Sequence, residues 1–260
     1  MSRAASKSPE AEPGLIDALP TPSTGYLHRS EGPLHSLVFL LPFIIFYEVG
    51  TKLFAVDPIS HGEDRIIAFN LMSRFFGWFG ASGKYLPGLA VVGILLAWHV
   101  ARNDKWTIRP STLLGMAAES VIWAFPLVVL GRVFIIFWQT HVTLMGTEAS
   151  WKSVLVLPIG AGIYEELVFR LIFFTAMSLL LVDVLGMPKV RAALLMVALS
   201  SVTFSLYHYL GNERFTAESF AFRTAAGVFF GVIFWTRGFG ITAGCHASYD
   251  IIVGLLRAAA

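Results

Sequence analysis

Long apolar runs, at 34–54, 86–101, 113–138, 153–182, 191–210, 219–236 and 239–257, restrict this chain more than any other feature. A helix rises about 1.5 Å per residue and the hydrocarbon core of a bilayer is about 30 Å thick, so roughly twenty apolar residues span it. In lipid the backbone must satisfy its own hydrogen bonds, which makes each run a helix. The expected fold is therefore an all-α, polytopic transmembrane helix bundle of about seven spans. Six to eight are allowed, because run 86–101 is short, run 153–182 carries charges, and only Arg237 and Gly238 separate the last two.

Composition agrees: 56% of residues are hydrophobic and 14% charged, against about 25% charged in a soluble domain. The net charge of +2 comes from Lys and Arg scattered in short loops. Without a basic stripe, no nucleic-acid partner is expected. The single cysteine, Cys245, cannot form an intramolecular disulfide or a multi-thiolate metal site.

Residues 1–33 are rich in Pro, Ser and Ala and lack the apolar core of a signal peptide, so they are expected to be a flexible polar tail. Residues 34–257 then form a single transmembrane helical domain. The stretch from Val56 to Lys84 mixes aromatics with Arg65, Arg74 and Lys84 and is a candidate interfacial amphipathic helix. Loop 102–112 holds Arg102, Lys105 and Arg109, and loop 183–191 holds Lys189 and Arg191, whereas loop 139–152 holds only Lys152. The positive-inside bias thus places the amino terminus in the cytoplasm and the carboxyl terminus outside. No internal repeat of 20 to 50 residues is visible.

Ionisable groups inside an apolar run cost several kcal/mol unless paired or facing a polar cavity, so each marks a functional candidate. Three sets stand out: Glu165, Glu166 and Arg170 in the fourth run, Phe204 and His208 in the fifth, His246 and Asp250 in the seventh. At about 100° per residue, Glu166 and Arg170 share a face and can neutralise each other. Glu165 is rotated about 100° away and has no partner at helical spacing, which leaves it available as a general base. His246 and Asp250 are also four apart. One unpaired carboxylate, one arginine-held carboxylate and two histidines on separate helices make the inventory of a hydrolase, strengthened by the dry surroundings. The plainer alternative is a structural Glu–Arg pair and packed histidines bonded to carbonyls. The other histidines, His28, His35, His61, His99 and His141, lie in the tail or near span ends and carry no expected catalytic role. Glu48 reads as an interhelical hydrogen-bonding residue, and Arg132 as one that pairs or snorkels.

In this order, EExxxR, FxxxH and HxxxD resemble the CPBP family, the CAAX proteases and bacteriocin-processing enzymes also called Abi, with a catalytic core over residues 150–256. The resemblance implies a metal-free, glutamate-dependent intramembrane endopeptidase with a conical cavity. In that reading Glu165 with His208 activates the attacking water, His246 and the residue four later stabilise the oxyanion, and Glu166 with Arg170 holds the architecture. Where eukaryotic-type prenyl-protein endopeptidases have Asn, this chain has Asp250. An ionised Asp cannot donate to an oxyanion, so Asp250 is expected instead to orient His246.

The resemblance implies a membrane-anchored or membrane-proximal peptide or protein as substrate: a sorting tail, a leader peptide or a lipidated tail. The expected partners are that substrate and the lipid bilayer, with oligomeric state unassigned. Alanine and glycine usage and compact loops read as bacterial, placing the chain in the inner membrane as a multi-pass protein. No cofactor is expected, although two His and two Glu are acceptable zinc ligands. Two other functions fit the buried charges: a proton-coupled transporter with a relay through Glu165, His208 and Asp250, and a non-catalytic membrane scaffold.

Overall fold

A computed structural model of the chain describes residues 25–54, 65–138, 151–211 and 213–259. The tail up to residue 24, His61, His141 and most of loop 139–152 lie outside the described residues. What is described is a helical bundle: α1 (Tyr26–Ser30), α2 (Pro33–Phe54), α3 (Ile67–Trp78), α4 (Leu86–Arg102), α5 (Pro110–Phe137), α6 (Trp151–Glu166), α7 (Phe173–Ser178), α8 (Lys189–Tyr207) and α9 (Ala217–Ala258). Two π-helical turns, Leu167–Ile172 and Leu179–Val184, flank α7 and make α6 through Val184 one continuous rod. Among the described residues, five helices are long and apolar enough to cross a membrane, and Leu86–Arg102 is a shorter apolar one. The chain is an integral multi-pass membrane protein.

The 42 residues of α9 are a hairpin rather than a rod. Gly238 has φ 76° and ψ −179°, outside the helical region. Phe230 and His246, sixteen residues apart, would be about 24 Å apart on a straight helix, yet their rings stack at 4.5 Å. Phe222 and Tyr249 also meet, at 6.4 Å. The chain turns back at Gly238, so the runs at 219–236 and 239–257 are separate arms. Only glycine suits this turn, since φ is left-handed and a Cβ would lie 3.2 Å from the Glu31 Cα.

The hinge is clamped. Arg237, just before it, reaches Glu119 through Nε (2.5 Å) and Nη2 (2.9 Å), Glu31 through Nη1 (3.1 Å) and the Ser30 hydroxyl through Nη2 (2.8 Å). Glu119 also accepts from the Tyr26 hydroxyl at 2.6 Å and the Trp123 indole at 3.1 Å. Residues 26–30, expected as tail, are helical because these bonds tie them to the bundle. Arg29 adds a bond to Thr112 at 3.1 Å.

The remaining helices position the two arms. α9 packs against α5, α6 and α8, while α2 packs against α4 and α6. The outer face of α5 carries exposed Ile122, Phe125, Val129 and Ile136, and only 17% of its apolar window is buried within the molecule. Such a surface suits lipid. The stretch expected to be amphipathic forms α3, which buries Ala68, Phe69 and Met72 and exposes Leu71, Phe75 and Trp78. Glu48 joins helices as expected, accepting from Tyr164 at 3.0 Å and pairing with Arg65 at 2.9 Å. Arg132 is exposed and lines the cavity described next.

Candidate active site

Three elements deliver the charged side chains to one place. On α6, Gly162 lets the second arm of α9 approach: a Cβ there would lie 2.5 Å from the Ala243 carbonyl and 2.8 Å from the Ala247 methyl. This contact sets Glu165 and Glu166, one turn on, beside His246. α8 ends at Tyr207, and His208 opens a short 3-10 turn, His208–Leu210. The π turn after Glu166 carries Arg170, and π turns of this kind recur at functional sites.

Glu166 is fully buried and lies between two partners. Its Oε1 is 2.7 Å from His246 Nδ1, and its Oε2 is 3.1 Å from Arg170 Nε. The arginine contact is off-axis, a neutralisation of charge rather than an aimed hydrogen bond. Arg170, buried completely, donates from Nη2 to the Gly227 carbonyl at 3.0 Å. Its guanidinium sits 4.5 Å from the Phe204 ring centroid and 5.6 Å from that of Phe230. Breaking this unit would strand a buried charge.

The two imidazoles are fixed from behind. A carbonyl can only accept, so His208 Nδ1–H donates to the Phe204 carbonyl, 2.8 Å away, and a neutral His208 presents a lone pair at Nε2. His246 Nδ1–H faces the Glu166 carboxylate, and its ring stacks on Phe230 with an interplanar angle of 18°. That also leaves Nε2 facing outward. Asp250 Oδ2 lies 3.5 Å from this Nε2. Asp250 thus meets His246 from the Nε2 side, while the shorter, Nδ1-side bond belongs to Glu166.

Glu165 completes the cluster. Its Oε2 lies 3.8 Å from His208 Nε2 and 3.9 Å from His246 Nε2, with no hydrogen-bond partner among the described residues. Its Oε1 accepts from the Tyr207 hydroxyl at 3.2 Å. Glu165, His208, His246 and Asp250 line a cavity of about 980 Å³. Arg132, Arg223 and Arg257 line it too, and Arg223 is held by Glu213 through two bonds of 2.6 Å. The cavity's lining extends to residues 213–219 and to Leu256 and Arg257 near the α9 carboxyl terminus.

The structure thus gathers Glu165, Glu166, Arg170, His208, His246 and Asp250 into one cluster. Sequence reasoning missed Tyr207, Phe230 and Arg223. Tyr207 was signalled only by being a hydroxyl beside His208 in an apolar run, Arg223 by being an ionisable group inside the run 219–236, and Phe230 by nothing local. Among the described residues, no three His, Cys, Asp or Glu side chains are arranged to hold a metal ion.

No curated protein and no solved structure gives a significant match to the chain. A family model does, that of the Rce1-like proteins, described as Type II CAAX prenyl endopeptidase Rce1-like, and it matches residues 147–252. Over that stretch, which holds every member of the buried cluster, the chain is similar to the Rce1-like CAAX endopeptidases.

Proposed function

We propose that the chain is an intramembrane endopeptidase in which Glu165 makes a water nucleophilic. The observation that carries this reading is the placement of Glu165 Oε2 at 3.8 and 3.9 Å from two outward-facing imidazole nitrogens. These gaps are too long for direct hydrogen bonds and short enough for one water to bond all three groups.

The steps follow from the atoms present. Glu165 takes a proton from the water, with the His208 Nε2 lone pair accepting the second water hydrogen bond. The water oxygen bonds to the scissile carbonyl carbon, and the carbonyl π electrons become an oxyanion. His246, when protonated at Nε2, turns that N–H from Asp250 to the oxyanion. Collapse re-forms the carbonyl and breaks the C–N bond, while the proton on Glu165 passes to the leaving amine. No step calls for a metal ion.

The substrate in this reading is a membrane-anchored or membrane-proximal peptide: a sorting tail, a leader peptide or a lipidated tail. The loop charges support a cytoplasmic amino terminus in a bacterial inner membrane. With that orientation the cavity's lining reaches the outer end of the bundle, which favours sorting tails over cytoplasmic prenylated proteins. The test is cleavage, by the purified chain in lipid nanodiscs, of three fluorogenic peptides: a hydrophobic sorting tail, a leader peptide and a farnesylated CaaX tail. Cleavage of at least one that disappears in Glu165→Gln supports the reading. Equal cleavage by wild type and Glu165→Gln defeats it.

A further inference from the structure

Glu165 is a flexible side chain in a cavity, and the imidazoles it faces are too distant to fix its rotamer directly. What fixes it lies on the other oxygen. The Tyr207 hydroxyl donates to Glu165 Oε1 at 3.2 Å and accepts from the Ala68 backbone N–H at 2.7 Å. A tyrosine hydroxyl has one proton. With the Ala68 amide occupying an acceptor site, that proton is directed to Glu165.

Both supports of this hydroxyl are rigid. The Tyr207 ring is buried edge-on against Phe169 at 5.0 Å and against His208 at 5.0 Å. Ala68 lies in the first turn of α3, where backbone N–H groups have no helical partner of their own. The start of α3 is pinned at a second point, because Arg65 pairs with Glu48, which accepts from the Tyr164 hydroxyl. Tyr164 and Glu165 are consecutive, so the beginning of α3 bears on both, each time through one intervening side chain, Glu48 or Tyr207.

We propose that Tyr207 is a positioning residue: its hydroxyl, steadied by the Ala68 amide of α3, holds Glu165 Oε1 so that Oε2 faces His208 and His246. This rests on Glu165 being the base. It adds that α3, which lies outside the residues matched by the family, is part of the apparatus that orients the reacting carboxylate. A helix exposing Leu71, Phe75 and Trp78 on its other face thereby stands two hydrogen bonds from the chemistry.

The experiment uses the full chain in nanodiscs and whichever of the three peptides it cleaves best. Tyr207→Phe keeps the ring and removes the donor. It is expected to lower kcat roughly 10- to 100-fold, with KM within about twofold, and to displace the acid limb of the pH–rate profile. Ala68→Pro, in a first helical turn, removes the amide hydrogen and, because Ala68 is fully buried, sets a ring carbon against the Tyr207 hydroxyl, so the support of that hydroxyl is lost. It should lower kcat in the same direction by less, and the double variant should be no slower than Tyr207→Phe. A Tyr207→Phe enzyme with wild-type kcat and an unmoved pH profile, alongside an inactive Glu165→Gln, overturns the positioning role alone. So does a kcat loss in either variant that merely tracks the folded fraction. Should Tyr207→Phe fail to fold, a wild-type kcat and pH profile in Ala68→Pro overturns it equally. Activity retained in Glu165→Gln instead sinks the parent reading.

Discussion

Two networks of buried charge lie at different depths in this bundle, and they are finished to different degrees. Around Arg237 each group is spoken for: the guanidinium holds Glu119, Glu31 and Ser30, and Glu119 also receives Tyr26 and Trp123. Around Glu165 one carboxylate oxygen is left without a hydrogen bond among the described residues, and two imidazole nitrogens face it across gaps. Buried polar atoms are normally satisfied, because leaving one unpaired costs about 1–3 kcal/mol. A complete network does its work by existing, whereas an incomplete one is poised to take on something else. The first is a clamp, and the second a site.

The sharpest way to break this contrast is at Glu165. Glu165→Gln should reduce peptide cleavage by roughly a thousandfold or more while leaving Tm within a few degrees. A large Tm loss would place Glu165 with the structural group. Next in size is Arg170→Ala, which sits inside the site yet behaves as structure: it leaves Glu166 buried and unneutralised and should cost about 3–5 kcal/mol. Its signature is lost yield and lowered Tm together with lost activity, measured by thermal melting of the detergent-solubilised protein.

Arg237→Ala probes the other network. It is expected to cost about 1–3 kcal/mol, less than Arg170→Ala because Glu31 is 43% exposed, and to spare turnover per folded molecule. If Arg237→Ala abolished kcat without affecting Tm, the clamp would belong to the chemistry. Asp250→Asn should change kcat less than tenfold, since Glu166 and not Asp250 takes the shorter bond to His246. The smallest effect is expected from a chelator: prolonged treatment with EDTA or 1,10-phenanthroline should leave cleavage unchanged. Inactivation reversed by added zinc would overturn the proposed mechanism.

Much of this was legible in the sequence because membrane insertion makes charge conspicuous. A carboxylate or histidine within an apolar run must be accounted for, and that argument alone isolates Glu165, Glu166, Arg170, His208, His246 and Asp250. The break at Arg237–Gly238 was readable for a related reason, since a glycine between two spans is where a chain can reverse. What stayed hidden depends on contacts between distant segments. Tyr207 owes its importance to a backbone amide 139 residues earlier, which no side-chain pattern announces. The π turn at Leu167–Ile172 has the same apolar composition as an α-helical turn. Glu119, near a span end, draws meaning only from Arg237, 118 residues later.

The reversal at Gly238 works as a depth gauge. His246 follows it by eight residues, about 12 Å of helix, and precedes the last helical residue, Ala258, by twelve, about 18 Å. In the proposed reading, a peptide entering from the α9 carboxyl-terminal end reaches some 18 Å inward to His246, a distance that five or six fully extended residues cover. A stretch that stays coiled would need about twice that number. In that reading the arm length favours tails that unravel readily, and lengthening the segment between Gly238 and His246 by a single residue would turn the imidazole away from Glu165.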